Sequence, residues 1–175
     1  MTSNNPFSPE DVVPEVRAAD AAAIESAVAG AREAQAGWSV DAMLRSRSLS
    51  ALGSAIEARK AEFVELMIRE VAKPVPEADG EVERALAILR YYSQVALDEN
   101  GSTYPGSTPG AQVVVRREPL GVILAICPWN FPLAIFSGQV CAALAAGNTV
   151  LAKPAEQTPL IAAQAVRILR EAGAP

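Results

Sequence analysis

Apolar positions recur at helical spacing through about the first hundred residues and then give way to short unbroken apolar runs. Residues 1–19 are polar and carry Pro6, Pro9 and Pro14, which predicts an extended lead-in. Asp20 then stands as an N-cap for a helix over about 21–36, with Ile24, Val28 and Ala31 on one face. A second helix is predicted over about 41–59, with Leu44, Leu52 and Ile56 at helical spacing. A third, over about 61–72, carries Phe63, Leu66 and Met67, and Lys73-Pro74-Val75-Pro76 ends it. A fourth, over about 77–98, turns Val82, Leu86 and Leu89 inward; Glu81 and Glu83 read as a solvated face. Residues 99–110 are rich in Gly, Ser, Thr and Pro and read as a loop, where the pattern changes.

Beyond that loop the period is no longer helical. Residues 112–117 form a β-branched run, an outer strand or ribbon. Pro119-Leu120-Gly121 is a turn, and the wholly apolar segment 122–126 is what a parallel strand buried on both faces requires. Residues 133–146 read as a helix that is apolar nearly all round, with Gly147 at its C′ position. A second apolar strand follows over 149–153. Thr158-Pro159 reads as an N-cap followed by Pro at the first helical position, opening a helix to about Ala172 that Gly173 closes. The order β-α-β-α implies an α/β fold: an N-terminal helical section followed by part of a doubly wound, Rossmann-like parallel sheet with right-handed crossovers. The expected organisation is a lead-in over 1–19, a helical section over 20–110 and the first β-α-β-α unit over 111–175.

Composition narrows the chemistry. Half of the 175 residues are hydrophobic and 20% are charged, the profile of a folded globular chain. The net charge of −5 supplies no basic stripe, so no nucleic-acid partner is expected. The absence of histidine removes His-based triads and His metal ligands. Two cysteines, Cys127 and Cys141, are too few for a disulfide framework or a zinc site, so no metal is expected and a reducing cytoplasm is the expected compartment. The stretch from Pro119 to Ala152 has no charge and is long enough to span a bilayer. Pro128, Asn130, Pro132 and Gly147-Asn148 break it, so it is read as strand, loop, helix and strand buried in protein, with no membrane partner.

In open α/β sheets, ligands bind outside the carboxyl ends of the strands. One such end holds Pro128-Trp129-Asn130-Phe131-Pro132 and the other Lys153-Pro154-Ala155-Glu156, so a carboxamide, an ammonium and a carboxylate converge near one crevice. Each has a plainer reading. Asn130 can satisfy the backbone of a turn. Lys153 can snorkel from a strand end, and Glu156 can complement a helix dipole.

The segments Ile126-Cys127-Pro128-Trp129-Asn130-Phe131-Pro132, Ala143-Leu144-Ala145-Ala146-Gly147-Asn148-Thr149-Val150 and Lys153-Pro154-Ala155-Glu156-Gln157-Thr158-Pro159, in this order and spacing, resemble the aldehyde dehydrogenase superfamily. The resemblance is dense over residues 117–175 and weaker over the helical section. It implies a cysteine thiolate that attacks an aldehyde carbon to give a thiohemiacetal. Asn130 would then donate to the developing oxyanion. Lys153 and Glu156 match residues that hold the adenosine ribose hydroxyls of NAD, with NADP as the alternative. The backbone of Ile126 and Trp129 would line the cofactor channel, with Pro128 in the same cofactor-binding segment. Leu133-Ala134-Ile135-Phe136 and the segment from Ala155 to Pro159 are similar to glutamate-semialdehyde dehydrogenases.

Gly138-Gln139-Val140-Cys141 resembles the surroundings of the family's nucleophile, but Cys141 falls mid-helix among apolar neighbours, where a thiol is inert. Cys127 reads as core. The nucleophilic cysteine, the catalytic glutamate and the catalytic domain are therefore expected to be absent from these residues. The expected identity is the N-terminal part of an NAD(P)-dependent aldehyde dehydrogenase, an incomplete aldehyde dehydrogenase fold that is inactive alone and acts on an aldehyde as a homo-oligomer at full length. The alternative is a non-catalytic nucleotide-binding or subunit-pairing module. A two-strand sheet with bare apolar edges predicts association of the isolated chain.

Overall fold

The computed structural model describes residues 5–14, 16–98 and 101–175. Four helices come first: α1 (Ala21–Val40), α2 (Ala42–Ala58), α3 (Lys60–Val71) and α4 (Val75–Val95). A hairpin of β1 (Gly101–Pro105) and β2 (Gln112–Arg116) leads to β3 (Val122–Ile126), α5 (Ala134–Ala145), β4 (Thr149–Lys153) and α6 (Pro159–Glu171). β3 and β4 are parallel, with Val122 opposite Thr149 and Ile126 opposite Lys153. The helical front section and the parallel β-α-β-α unit thus match the expected fold class.

The N-terminal segment is tied down. Val13 is fully buried, and Asp11 takes a forked ion pair from Arg69 of α3, with the Nε contact at 2.8 Å. That guanidinium, helped by Asn5, holds the Asp11 carboxyl down at about 2. Of the expected lead-in over 1–19, residues 1–4 and Glu15 lie outside the described residues.

Helix α1 buries only Trp38, whereas α2, α3 and α4 each bury one stripe. On α2 it runs through Arg45, Ser48, Leu49, Leu52 and Ile56; on α3 through Phe63, Met67 and Glu70; on α4 through Ala78, Glu81, Val82, Ala85, Leu86 and Leu89. These stripes merge with Leu133, Phe136, Val140, Cys141 and Leu144 of the α5 region and with Ile161, Ala165 and Ile168 of α6 into one core. Burial of a large apolar side chain in such a core contributes roughly 1.5–3 kcal/mol.

Four polar residues, Arg45, Ser48, Glu70 and Glu81, lie in those apolar stripes, and each meets a helix end. A helix leaves its first N–H and last C=O groups without intrahelical partners. Arg45 donates from Nε to Ala145 O (3.0 Å) at the end of α5 and from a terminal nitrogen to Trp38 O and Ser39 O at the end of α1. Trp38 Nε1 donates to Leu144 O (3.1 Å). Glu81 accepts from the N–H groups of Leu133 and Ala134 at the start of α5, at 2.8 and 3.0 Å. Glu70 accepts from those of Leu160 and Ile161 at the start of α6, at 2.8 and 3.1 Å. Ser48 Oγ donates to Ala172 O at the other end of α6. The front helices thus close both ends of both helices that follow the strands.

Several expectations need correction. Glu81 is buried, not part of a solvated face; only Glu83 is exposed. Residues 99–110 are not simply a loop: Gly101–Pro105 is β1, paired antiparallel with β2, and Glu99 and Asn100 lie outside the described residues. Glycine and proline masked a strand that its partner specifies. Thr158 makes no side-chain cap on α6, because the Glu70 carboxylate occupies those amides; Thr158 Oγ1 is buried without a partner among the described residues. Ile24 is exposed. β3 is not buried on both faces: Ala125 faces the core, whereas Leu124 and Ile126 are each 61% exposed. Nothing among the described residues covers that face at the carboxyl end of β3. Other expectations hold. Asp20 Oδ1 accepts from Ala23 N at 2.8 Å. Gly147 adopts φ +86° beside the Ser39 backbone, a left-handed conformation at a helix end that favours glycine.

Candidate functional site

The two loops that follow the strands leave side by side. Cys127 N donates to Lys153 O at 3.0 Å, so the ladder continues to the point where both loops begin. The start of β4 is equally well fixed. Gln35 of α1 accepts from Thr149 N and donates to Gly147 O, both at 2.8 Å, and Thr149 Oγ1 donates to Ala31 O.

At the end of β3, Pro128 is half-buried, while Trp129, Asn130 and Phe131 are exposed. The Asn130 backbone oxygen accepts from Lys73 Nζ at 2.8 Å. Its side-chain amide makes no hydrogen bond with any described residue. The plainer reading, an Asn consumed by its own turn, therefore finds no support in the geometry.

At the end of β4, Lys153 Nζ lies 3.3 Å from Glu156 Oε1 and 2.9 Å from Pro154 O. Both side chains are half-exposed or more. The ammonium holds the Glu156 carboxyl below its ordinary range. This pair is solvated, so it contributes little stability; its position matters more than its energy. Ile126, opposite Lys153 in the ladder, and Trp129 add exposed apolar surface beside it. Lys153 and Glu156 are brought together at one strand end and Asn130 stands at the neighbouring one, with no hydrogen bond joining the two groups.

Both cysteines are buried, and burial disfavours the thiolate of each. Cys141 is fully buried in α5, and burial pushes its thiol up to about 12. Cys127 is buried, its thiol is raised by burial against the opposing pull of Lys153, and Sγ lies 3.4 Å from Gln139 Oε1. Among the described residues no group of His, Cys, Asp and Glu side chains could hold a metal. No described helix is long and apolar enough to cross a membrane. A surface hollow of about 1040 Å³ lies elsewhere, between the end of α1 and the base of the hairpin, and holds none of these residues.

Sequence reasoning missed the residues beneath the site. Lys73, buried in the α3–α4 corner, pairs with Glu81, donates to Asn130 O and places its ammonium 4.0 Å from the centre of the Phe131 ring. Glu81 and Glu70 were legible as polar residues within an apolar stripe. Glu81 follows Ala78 by three positions and precedes Ala85 by four, and Glu70 follows Met67 by three. What they bind could not be read from spacing.

The fold and site define a class: a helical section packed on a parallel β-α-β-α unit, with polar side chains at the carboxyl ends of its strands. The aldehyde dehydrogenase family model matches residues 1–175, and the chain belongs to that family. It is 42% identical to the bifunctional protein PutA of Klebsiella aerogenes over 98% of this chain and 12% of that protein. It is 39% identical to the alpha-ketoglutarate semialdehyde dehydrogenase of Haloferax volcanii over 98% of this chain and 36% of that one. Its fold superposes with a TM-score of 0.93, at 36% identity, on the NADP-dependent glyceraldehyde-3-phosphate dehydrogenase of Bacillus halodurans complexed with NADP, covering 100% of this chain and 38% of that one. The chain therefore spans little more than a third, or less, of the proteins it matches, and its fold is part of a larger one.

Proposed function

We propose that this chain forms the front of an NAD(P)-dependent aldehyde dehydrogenase that oxidises an aldehyde to a carboxylic acid through a cysteine thiohemiacetal. In this reading residues 20–110 and 111–175 belong to the cofactor-binding part, and the nucleophilic cysteine and the base lie outside the 175 residues. Asn130 is the oxyanion donor. Lys153 and Glu156 hold the ribose end of the cofactor, and Ile126, Pro128 and Trp129 form the wall beside it. The substrate is an aldehyde, the working form a homo-oligomer and the compartment the cytoplasm.

The observation that carries the reading is the Asn130 amide, exposed at the end of β3 and unpartnered among the described residues while its backbone is held by Lys73. A fixed backbone with a free N–H donor is what stabilisation of a developing oxyanion requires, because the donor needs no reorganisation as charge forms. The residues present also fit a dinucleotide. Glu156 offers acceptors and Lys153 donors to vicinal hydroxyls, each freed by breaking one solvated ion pair. The dinucleotide, when bound, supplies the hydride acceptor. A carboxylate at this position favours NAD, since a 2′-phosphate meets like charge; the NADP-bound relative is why NADP remains the alternative.

Asn130→Ala in the complete enzyme tests the reading. The expected result is a fall of about 100- to 1000-fold in kcat with cofactor affinity retained. A variant with unchanged kcat would remove Asn130 from the mechanism. The 175-residue chain alone is expected to reduce no NAD(P) with any aldehyde. Tight, saturable NAD binding by that chain would favour the nucleotide-binding module instead.

A further inference from the structure

The Lys73–Glu81 pair is buried, while the site it underlies is exposed. Lys73 is 7% and Glu81 3% exposed. Two charges in a core are costly unless their hydrogen-bonding capacity is filled. Here it is filled toward one segment. Glu81 uses one oxygen for the Leu133 and Ala134 amides and the other for Lys73. Lys73 spends its other contacts on Asn130 O and the Phe131 ring. Every polar contact of the pair that leaves the α3–α4 corner therefore lands within residues 130–134. A residue needed only to fill the core would not be so directed, and an apolar pair of similar volume would fill it without the desolvation cost.

We propose that Lys73 and Glu81 are positioning residues for Asn130. Glu81 fixes the start of α5 on the C-terminal side of the loop. Lys73 fixes the peptide of Asn130 itself and the ring that follows it. β3 fixes the other side through Cys127 N and Lys153 O. With the backbone held on three sides, the direction in which the Asn130 side chain leaves is set, and its amide is kept for an external acceptor. The inference rests on the proposed role of Asn130, but the holding of the loop is testable apart from that role.

The test is hydrogen–deuterium exchange, read by mass spectrometry, on the complete enzyme and on its double variant Lys73→Met with Glu81→Gln. The double change leaves no unpaired buried charge, and the Gln oxygen still accepts from Leu133 and Ala134, so the fold is retained. The expected result is exchange at Leu133, Ala134 and Ile135, whose amides are bonded to Glu81 and to Phe131 O, faster by about 10-fold or more, with amides of α2 and β4 within about 2-fold of wild type. Lys73→Arg, which keeps charge and donors, is expected to recover most of the protection. Unchanged exchange at these amides would overturn the proposal, and so would equal acceleration throughout the core, which would mark the pair as general packing. Asn130→Ala separates the two readings. If it leaves turnover of the complete enzyme intact while the double variant loosens the loop, the oxyanion role falls and the holding of the loop stands.

Discussion

Glu70→Gln probes the least expected group in the molecule, a carboxylate that caps α6 from inside the core. Burial raises the Glu70 pKa from 4.5 to about 7, and the two amide hydrogen bonds from Leu160 and Ile161 offset only part of that. The sign follows from linkage. Between pH 4.5 and 7 the folded protein holds a proton that the unfolded chain has released, so stability falls as pH rises through this window. The contribution is fully present below about 4.5 and lost above about 7. A difference of about 2.5 pKa units corresponds to roughly 3 kcal/mol. Glu70→Gln keeps a side-chain oxygen for one amide, removes the titration, and gives up one hydrogen bond, worth about 1 kcal/mol. The variant should therefore be slightly less stable than wild type near pH 4.5 and more stable by about 2 kcal/mol at pH 8. Urea unfolding of both proteins across this range measures the difference between them, in which all other titrating groups cancel. A difference that is flat with pH would refute the reasoning. A difference of opposite slope would show that the N-terminal dipole of α6 outweighs burial and holds the carboxylate ionised.

Two further substitutions check the packing account. Arg45→Met should destabilise the chain by roughly 3 kcal/mol, because three carbonyls at the ends of α1 and α5 lose a charged donor inside the core; a loss below about 1 kcal/mol in urea would mean that those carbonyls find other partners. Ala72 closes α3 at φ +53°, the only non-glycine residue at positive φ among the described residues. Ala72→Gly should raise stability by about 1 kcal/mol through relief of that conformation, and a lower thermal midpoint would contradict it.

Much of the architecture was legible in the chain. The change of period after residue 110, the apolar runs at 122–126 and 149–153, and Gly147 placed the helices, the parallel strands and the turn between them. They did so because each depends on local geometry: helical spacing, extended apolar segments and a left-handed glycine. The same local logic placed Asn130, Lys153 and Glu156 at strand ends, since a loop residue's place follows from the strand before it. β1 was missed because a strand of Gly, Ser, Thr, Tyr and Pro is specified by its partner rather than by its own propensity.

Other features were decided only by tertiary structure. Arg45, Glu70 and Glu81 enter the core, Glu81 against the solvated face expected of it, and each acts on an element about 50 to 100 residues away. A buried charge survives only where a specific partner satisfies it, and no local rule names a partner at that distance. Thr158 shows the same limit from the other side. By sequence it is a good cap, but its helix end was already taken by Glu70. The sequence determined which segments form helices and strands and where the polar loops fall; the packing of the front helices decided which charges enter the core and which loop they hold still.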